Sequence, residues 1–338
     1  MIVTNPLIRN HQWPLRVILF ISLTAVIVFA FANSMPWANL SGANRAEAVT
    51  NLAMPDASQG LLSLMTYNIA GLPEFISSAG TPRATSIAQI GRMITPYDIV
   101  HIQEDFNYNR QLYTGLDSHG FRTKHNGVVP FGDGLNTLSK YPIIESKRVA
   151  WRHCSGTDCL TPKGFMFTRI QLAKHVFIDF YNLHATAEKK PSADYARQQN
   201  LRQLSHFIQK QSQENAIVVM GDFNAHYTYI NDEMQQFLQE TSLTDAWVQL
   251  MKNGIVPKKN LHHQALSNLS IDERTESLDK ILYRSNHEIS LMPIAYRVEA
   301  GKFTDPSGNE LSDHLPISAV FNWDLKHATY STFPNHRQ

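Results

Sequence analysis

Cysteine is nearly absent: Cys154 and Cys159, bracketing Ser-Gly-Thr-Asp, are the only two in 338 residues. That scarcity excludes a fold framed by disulfides, and no suitably placed further ligands accompany the pair as a zinc site would require. The expectation is a small-loop disulfide acting as a staple, formed outside a reducing compartment. Charge of one sign is also missing. Thirty Lys and Arg face 29 Asp and Glu, the net charge is +1 and the pI about 7.9, so nothing global points to a polyanionic partner. No internal repeat, low-complexity segment or block of like charge occurs. Long apolar runs are limited to Val17–Phe29, which falls short of the roughly 20 residues a membrane span needs. Arg9, His11 and Arg16 precede this run and Ala30-Phe31-Ala32 follows it with a small-x-small pattern. The layout is that of a secretory signal, with an uncleaved N-terminal anchor as the other reading. Either way the folded part is expected outside the cytoplasm, secreted or tethered to the envelope.

What is present is a core: 43% of the residues are hydrophobic. Residues 1–32 read as the signal or anchor and 33–60, rich in Ala, Asn, Ser and Pro, as a linker. A single mixed α/β domain is expected over 61–323, with a tail at 324–338. The first strand is Leu61–Asn68. Thr81-Pro82 reads as the N-cap and first residue of a helix carrying Ile87, Ile90 and Ile94 on one face, ended by Pro96. Asp98–Gln103 and Leu135–Ser139 read as strands. A hairpin pairs Phe165–Leu172 with Val176–Leu183 around a turn at Ala173-Lys174. The longest helix is expected over Ser192–Gln211 and another over Glu233–Glu240. Further strands are Ala216–Met220, Leu278–Tyr283 and Leu315–Phe321.

The chemistry lies where those strands stop. Met220-Gly221-Asp222-Phe223-Asn224 ends an apolar, β-branched run with a carboxylate and a carboxamide two apart, which aims both at one place. Ligands in open α/β sheets sit at such ends, although an Asx turn would use the same residues. Asn68, Glu104, Asn136, His184, Asp279, Asp313 and His314 likewise follow or interrupt apolar strands. A hard divalent cation such as Mg²⁺, with Mn²⁺ or another divalent ion as the alternative, prefers carboxylate and amide oxygens. Glu104 with Asn68 is a fitting minimal set, and Asp313 would add a contact through water. Asp279 and His314 form the carboxylate–imidazole pair that activates water. His184 would stabilise charge on a phosphoryl oxygen. Each has a bland reading too: Asn68 as a turn cap, His184 as a hydrogen-bonded core histidine, Asp279 as the partner of Arg284. The bland readings do not explain why strand after strand ends in a ligand-type residue.

Tyr67-Asn68, Gln103-Glu104, Gly221-Asp222-Phe223-Asn224, Leu278-Asp279-x-Ile281 and Ser312-Asp313-His314 resemble, in order, the motif series of the endonuclease/exonuclease/phosphatase (DNase I-like) superfamily. The resemblance covers 61–323 and implies a four-layer α/β sandwich with two central mixed β-sheets. It also implies Mg²⁺-dependent phosphoester hydrolysis. Carried over residue by residue, Glu104 and Asn68 would hold the metal and His314 with Asp279 would activate water. Asp222 and Asn224 would bind the scissile phosphate region or the water, and Asp313 would assist the metal and His314. Lys280 departs from the pattern, since relatives often carry Tyr after this Asp.

Tyr181-Asn182-Leu183-His184-Ala185 is similar to the secreted DNase I-like enzymes and to bacterial sphingomyelinases. Gly134-Leu135-x-x-Leu138-Ser139 and Lys163-Gly164 resemble the sphingomyelinase side. A nuclease gains affinity from several Lys and Arg contacts to phosphates, yet the compact basic runs are only Lys189-Lys190 and Lys258-Lys259. A lipid enzyme needs apolar side chains that dip into a membrane, for which Leu72, Phe75, Ile76, Tyr227 and Tyr229 are the candidates, with burial in the core as the equal alternative for each. A phospholipid such as sphingomyelin, presented on a membrane surface, is therefore the expected substrate. An extracellular nuclease acting on nucleic acid is the alternative, and a catalytically silent lipid- or protein-binding member is a third reading. No protein partner is inferable, and a monomer is expected.

Overall fold

The computed structural model describes residues 54–114, 118–261 and 266–326. The apolar segment with its cleavage pattern, most of the expected linker and nearly all of the tail lie outside the described residues.

Two six-stranded mixed sheets form the centre. The first contains β1 (Gln59–Asn68), β2 (Ile99–Gln103), β3 (Phe121–Arg122), β4 (Asn136–Ser139), β11 (Ile289–Val298) and β12 (Ile317–Leu325), in the order β11-β12-β1-β2-β4-β3. The second contains β5 (Ile143–Ala150), β6 (Gly164–Ala173), β7 (Val176–His184), β8 (Ile217–Asp222), β9 (Thr244–Asp245) and β10 (Asp279–Arg284). Its order is β5-β6-β7-β8-β10-β9. In each sheet one central pair is parallel, β1 with β2 and β7 with β8, and the other pairs are antiparallel. A parallel pair places two strand C-termini side by side, here Asn68 beside Gln103 and His184 beside Asp222.

Alternation along β1 sorts its two faces. Leu62 and Leu64 pack between the sheets, whereas Met65 and Tyr67 pack under helix α1 (Arg83–Met93) with Ile87 and Ile90. On the other side Leu201, Leu204 and Ile208 of α3 (Pro191–Gln211) cover the second sheet, whose β8 is buried on both faces. The layers are therefore helix, sheet, sheet, helix. The shorter helices are α2 (Asn109–Tyr113), α4 (Met234–Thr241) and α5 (Ala246–Met251).

Several expected boundaries shift. α1 begins at Arg83, and Thr81 does not cap it; its hydroxyl accepts from Arg83 and Ser86 instead. The hairpin turn sits at Lys174-His175, with His175 at φ 64° and Ala173 still in β6. Asn136 lines no site. Its amide donates to Asp105 at 2.6 Å and its Oδ1 accepts from Thr123 and Arg148, which makes it part of a buried network. Tyr227 is not an exposed membrane residue either: it is wholly buried and its hydroxyl donates to Asp245 at 2.7 Å. Asp279 does not pair with Arg284, whose guanidinium donates to the carbonyls of Thr241, Ser212, Gln213 and Asn215.

Arg83 fixes the two loops that lead into the site. Its fully buried guanidinium donates to the carbonyls of Ile69 (2.6 Å), Ala70 (2.9 Å) and Leu311 (2.9 Å), tying the end of β1 to the loop before His314. Ser312 Oγ adds a bond to the Asn68 carbonyl at 2.7 Å. Burial lowers the Arg83 pKa from its ordinary value, and these carbonyls are what solvate the charge. Arg83→Met would leave them unpaired. Urea denaturation should show a loss of about 3 kcal/mol or more, as for hydrogen bonds to a charged group; an unchanged midpoint would contradict this role.

Candidate active site

The site is assembled from strand ends of both sheets. Asn68 closes β1 and Glu104 follows β2. His184 closes β7, Asp222 closes β8 and Asp279 opens β10. Antiparallel register sets Asp279 directly opposite Asp222, and His314 arrives on the loop before β12. Ala70, Glu104 and Asn224, all flanking these ends, hold φ of 48°, 60° and 50°. A left-handed backbone at non-glycine residues costs roughly 1–3 kcal/mol each and collects where function fixes the geometry.

Asn68 joins the halves. Its Nδ2 donates to Glu104 Oε1 and to Asp222 Oδ2, each at 3.2 Å, while its Oδ1 accepts from the Ala70 amide at 3.1 Å. Asp222 Oδ1 accepts from the Asn224 amide at 2.9 Å. The Asn224 side chain itself donates to the Ala185 carbonyl at 3.1 Å. Burial pushes the Asp222 carboxyl up to about 6, with the facing Asp279 charge adding to the rise and His314 opposing it.

The two histidines differ. His314 Nδ1 donates to Asp279 Oδ2 at 2.8 Å, and its Nε2 lies 3.8 Å from Asp222 Oδ2. Burial alone would lower its pKa, but the charges of Asp279 and Asp222 with the Asp279 hydrogen bond outweigh it and carry it up to about 10. The Asn268 amide is 3.1 Å from Nε2. An amide offers a donor on one side and an acceptor on the other, so Asn268 can serve this nitrogen with or without its proton. His184 goes the other way: burial, then Lys163 and His314, hold its pKa well below the ordinary value. Lys163 Nζ donates to His184 Nε2 at 3.2 Å, so that nitrogen carries the lone pair. The 3.4 Å approach of the same Nε2 to Asp222 is therefore not an ion pair. Lys163 is held in turn by Asp158 at 2.7 Å, on the loop closed by the Cys154–Cys159 disulfide.

The donor set suits a hard cation. Glu104 is raised from its ordinary pKa by burial, with Asp313 adding to the rise, so negative charge there is under-compensated. Asp279 Oδ1 is buried without a hydrogen-bond partner. Glu104 and Asp313 offer carboxylate oxygens, as Mg²⁺ prefers, while the Asn68 oxygen accepts from the Ala70 amide and its Nδ2 is turned toward Glu104 and Asp222. Asp222, Asp279 and His314 also bring one potential ligand atom each within 4.8 Å of one another. In that group the 2.8 Å bond already occupies His314 Nδ1 and Asp279 Oδ2, which favours proton handling.

Hydrogen bonds and close approaches link Glu104, Asn68, Asp222, His184, His314 and Asp279 in one cluster, whereas the Asn224 side chain turns to the Ala185 carbonyl and Asn136 belongs to a separate network. Asp313 is half-buried, and its charge acts on both Glu104 and His314. Sequence reasoning missed Asn268 and gave Lys163 no role. Neither ends a strand; Lys163-Gly164 opening β6 was the one available signal. In cation-free protein, ring NMR signals should place the two imidazoles on opposite sides of 6.5, with His314 keeping its proton up to about pH 10. A proton held more tightly in the fold adds stability that is full below about 6.5 and is lost as pH rises through that folded value. Both rings titrating near 6.5 would contradict the arrangement.

Sphingomyelinases of Mycobacterium bovis and Mycobacterium tuberculosis are 35% identical over 274 residues, covering 79% of this chain and 54% of theirs. The chain thus spans about half the length of these curated relatives. Among solved structures, beta toxin of Staphylococcus aureus with bound magnesium ions superposes with a TM-score of 0.56 at 17% identity, covering 77% of this chain and 99% of that one. D. rerio TDP2 complexed with a single-strand DNA product gives 0.58 at 15% identity, over 78% and 99%. These two likenesses establish the fold, the DNase I-like sandwich. The model of endonuclease/exonuclease/phosphatase family 2 matches residues 84–277, which include Glu104, His184, Asp222 and Asn224. The match spans more than half of the chain, and the protein belongs to that family.

Proposed function

We propose that the protein is a Mg²⁺-dependent phosphodiesterase that hydrolyses a phospholipid of the sphingomyelin type outside the cytoplasm. The observation that carries the reaction class is His314, hydrogen-bonded to Asp279 and facing Asp222, whose Oδ2 also accepts from the Asn68 amide that binds Glu104. Support for the lipid comes from the 35% identity to sphingomyelinases. The location rests on the Val17–Phe29 run with Ala30-Phe31-Ala32, cleaved or retained as a tether.

Glu104 and Asn68, with Asp313, would hold the cation. When bound, it polarises phosphoryl oxygens and offsets the carboxylates that otherwise keep His314 protonated. His314 Nε2 takes a proton from water, whose oxygen bonds to phosphorus as the bond from phosphorus to the leaving alkoxide breaks. Asp279 holds the other ring nitrogen, which fixes the tautomer and stabilises the imidazolium that develops. Asp222 and the Asn224 amide orient the water or the phosphate. His184 stays neutral and keeps the Lys163 ammonium at the site, where positive charge meets the charge growing on the phosphoryl oxygens.

The test is a panel of sphingomyelin, phosphatidylcholine, phosphoinositides and plasmid DNA, each with Mg²⁺ and with chelator. Sphingomyelin should be cleaved only with Mg²⁺. Nicking of DNA without lipid hydrolysis would contradict the reading. Glu104→Gln should lower turnover at limiting Mg²⁺ by at least about 100-fold, beyond the loss from disturbing a metal's outer partners. Its thermal midpoint should be unchanged, and full activity of the variant would remove Glu104 from the metal's ligands.

A further inference from the structure

We infer that Lys280 and Glu276 are positioning residues for the reaction: their buried ion pair clamps the chain entering β10 to the chain leaving β8, and so sets the angle at which Asp279 meets His314. The inference rests on the dyad proposed above and names what aligns it.

Asp279 is weakly held by its own side chain. Its Oδ2 takes the 2.8 Å bond from His314 Nδ1, while its Oδ1 is buried without a hydrogen-bond partner. The direction of the carboxylate therefore comes from the backbone that carries it. That backbone is fixed at three points. The Asp279 amide donates to Ser277 Oγ at 3.0 Å, the Leu278 carbonyl accepts from the Phe223 amide at 3.1 Å, and Asp279 sits opposite Asp222 in the ladder.

Lys280 is what holds Ser277. It follows Asp279 in β10, so its side chain leaves the opposite face of the strand. From there Nζ turns back to donate to the Ser277 carbonyl at 2.7 Å and to Glu276 Oε1 at 3.1 Å, and it lies 4.7 Å from the centre of the Tyr227 ring. An ammonium has three donors, and two oxygens and an aromatic face use them. Glu276 makes the other half of the clamp. Its Oε1 also accepts from the Tyr227 amide, and its Oε2 accepts from Thr228 Oγ1 at 3.1 Å. Tyr227 and Thr228 come just after Asp222-Phe223-Asn224, so one ion pair joins the segments flanking both site carboxylates.

Both charged side chains are buried. Burial alone would raise the Glu276 carboxyl, but Lys280 and His226 bring it below its ordinary value. A buried ion pair adds little stability over apolar residues of the same volume, and its use is to specify one arrangement. Here that arrangement presents Asp279 to His314.

The experiment compares the full chain with Lys280→Met/Glu276→Gln, which removes both charges together and leaves an amide oxygen for the Tyr227 amide. The first readout needs no substrate. With isotope-labelled histidine and chelator present, the His314 Nδ1 proton should give a resolved downfield NMR signal. So should the His119 Nε2 proton, bonded to the Tyr97 carbonyl at 2.9 Å in the other sheet. The double variant should shift and broaden the His314 signal and leave that of His119 in place. Glu276→Gln alone, which keeps the volume of the side chain, should move it in the same direction; an unmoved signal overturns the proposal. The second readout is turnover of sphingomyelin at saturating Mg²⁺. The double variant should lower kcat by about 10- to 100-fold with KM unchanged, as for a misplaced reacting group. With Asp279→Asn already present the further loss should be no more than about twofold. Equal losses in both backgrounds would show that the pair supports the fold and not Asp279, and would overturn the proposal. A shifted His314 signal in a protein that hydrolyses no phosphodiester would keep the clamp and remove the activity assignment.

Discussion

Two hydrogen bonds that cross between the sheets hold the site together: Asn68 Nδ2 to Asp222 at 3.2 Å and His314 Nδ1 to Asp279 at 2.8 Å. One sheet supplies Asn68 and Glu104, and the other supplies His184, Asp222 and Asp279. Neither sheet alone is a site. The two are kept in register by a polar seam in an otherwise apolar interface. His101 Nδ1 donates to the Met220 carbonyl at 3.0 Å, and Gln103 donates to Asn182 Oδ1 at 2.7 Å. Burial holds His101 down to about 4, so it is a neutral strut and not a proton carrier. Such buried polar pairs specify one alignment of two sheets where apolar contacts alone would tolerate several.

The seam leads to a concentration of buried charge that the fold stabilises incompletely. Asp222 and Asp279 face each other across β8 and β10, and their combined field holds the proton on His314. Glu104 and Asp222 are both pushed up by burial. A scaffold selected only for stability would neutralise these carboxylates. Here two cations, His314 and Lys163, act on both of them, and Lys163 is shared with Asp158 and His184. Added positive charge is what the arrangement lacks, which is the electrostatic argument for a divalent ion.

Much of this was legible because buried strands announce themselves. β1, β2, β7 and β8 are apolar runs, and the polar residue ending each run is the residue that meets the others. The parts that were not legible depend on partners remote in sequence. β5 is a largely exposed edge strand with Glu145, Lys147 and Arg148, and β11 contains Pro293 at a register shift, so neither shows a core pattern. Lys163 acquires its place from Asp158 on a loop, Asn268 from a short helical turn, and Arg83 from carbonyls more than two hundred positions apart. The sequence left Tyr227 open between membrane contact and core, because an aromatic after a site motif looks alike whether it faces solvent or Asp245.

The proposed hydrolysis requires His314 and Asp279 to act as one unit. A double-mutant cycle on turnover with saturating Mg²⁺ tests this directly. His314→Ala should lower kcat by at least about 10²-fold, the lower end for losing a general base. Asp279→Asn should slow the same step, yet add no more than about twofold in the His314→Ala background, because nothing is left for it to orient. Strictly multiplicative losses would show two independent groups and would contradict the dyad.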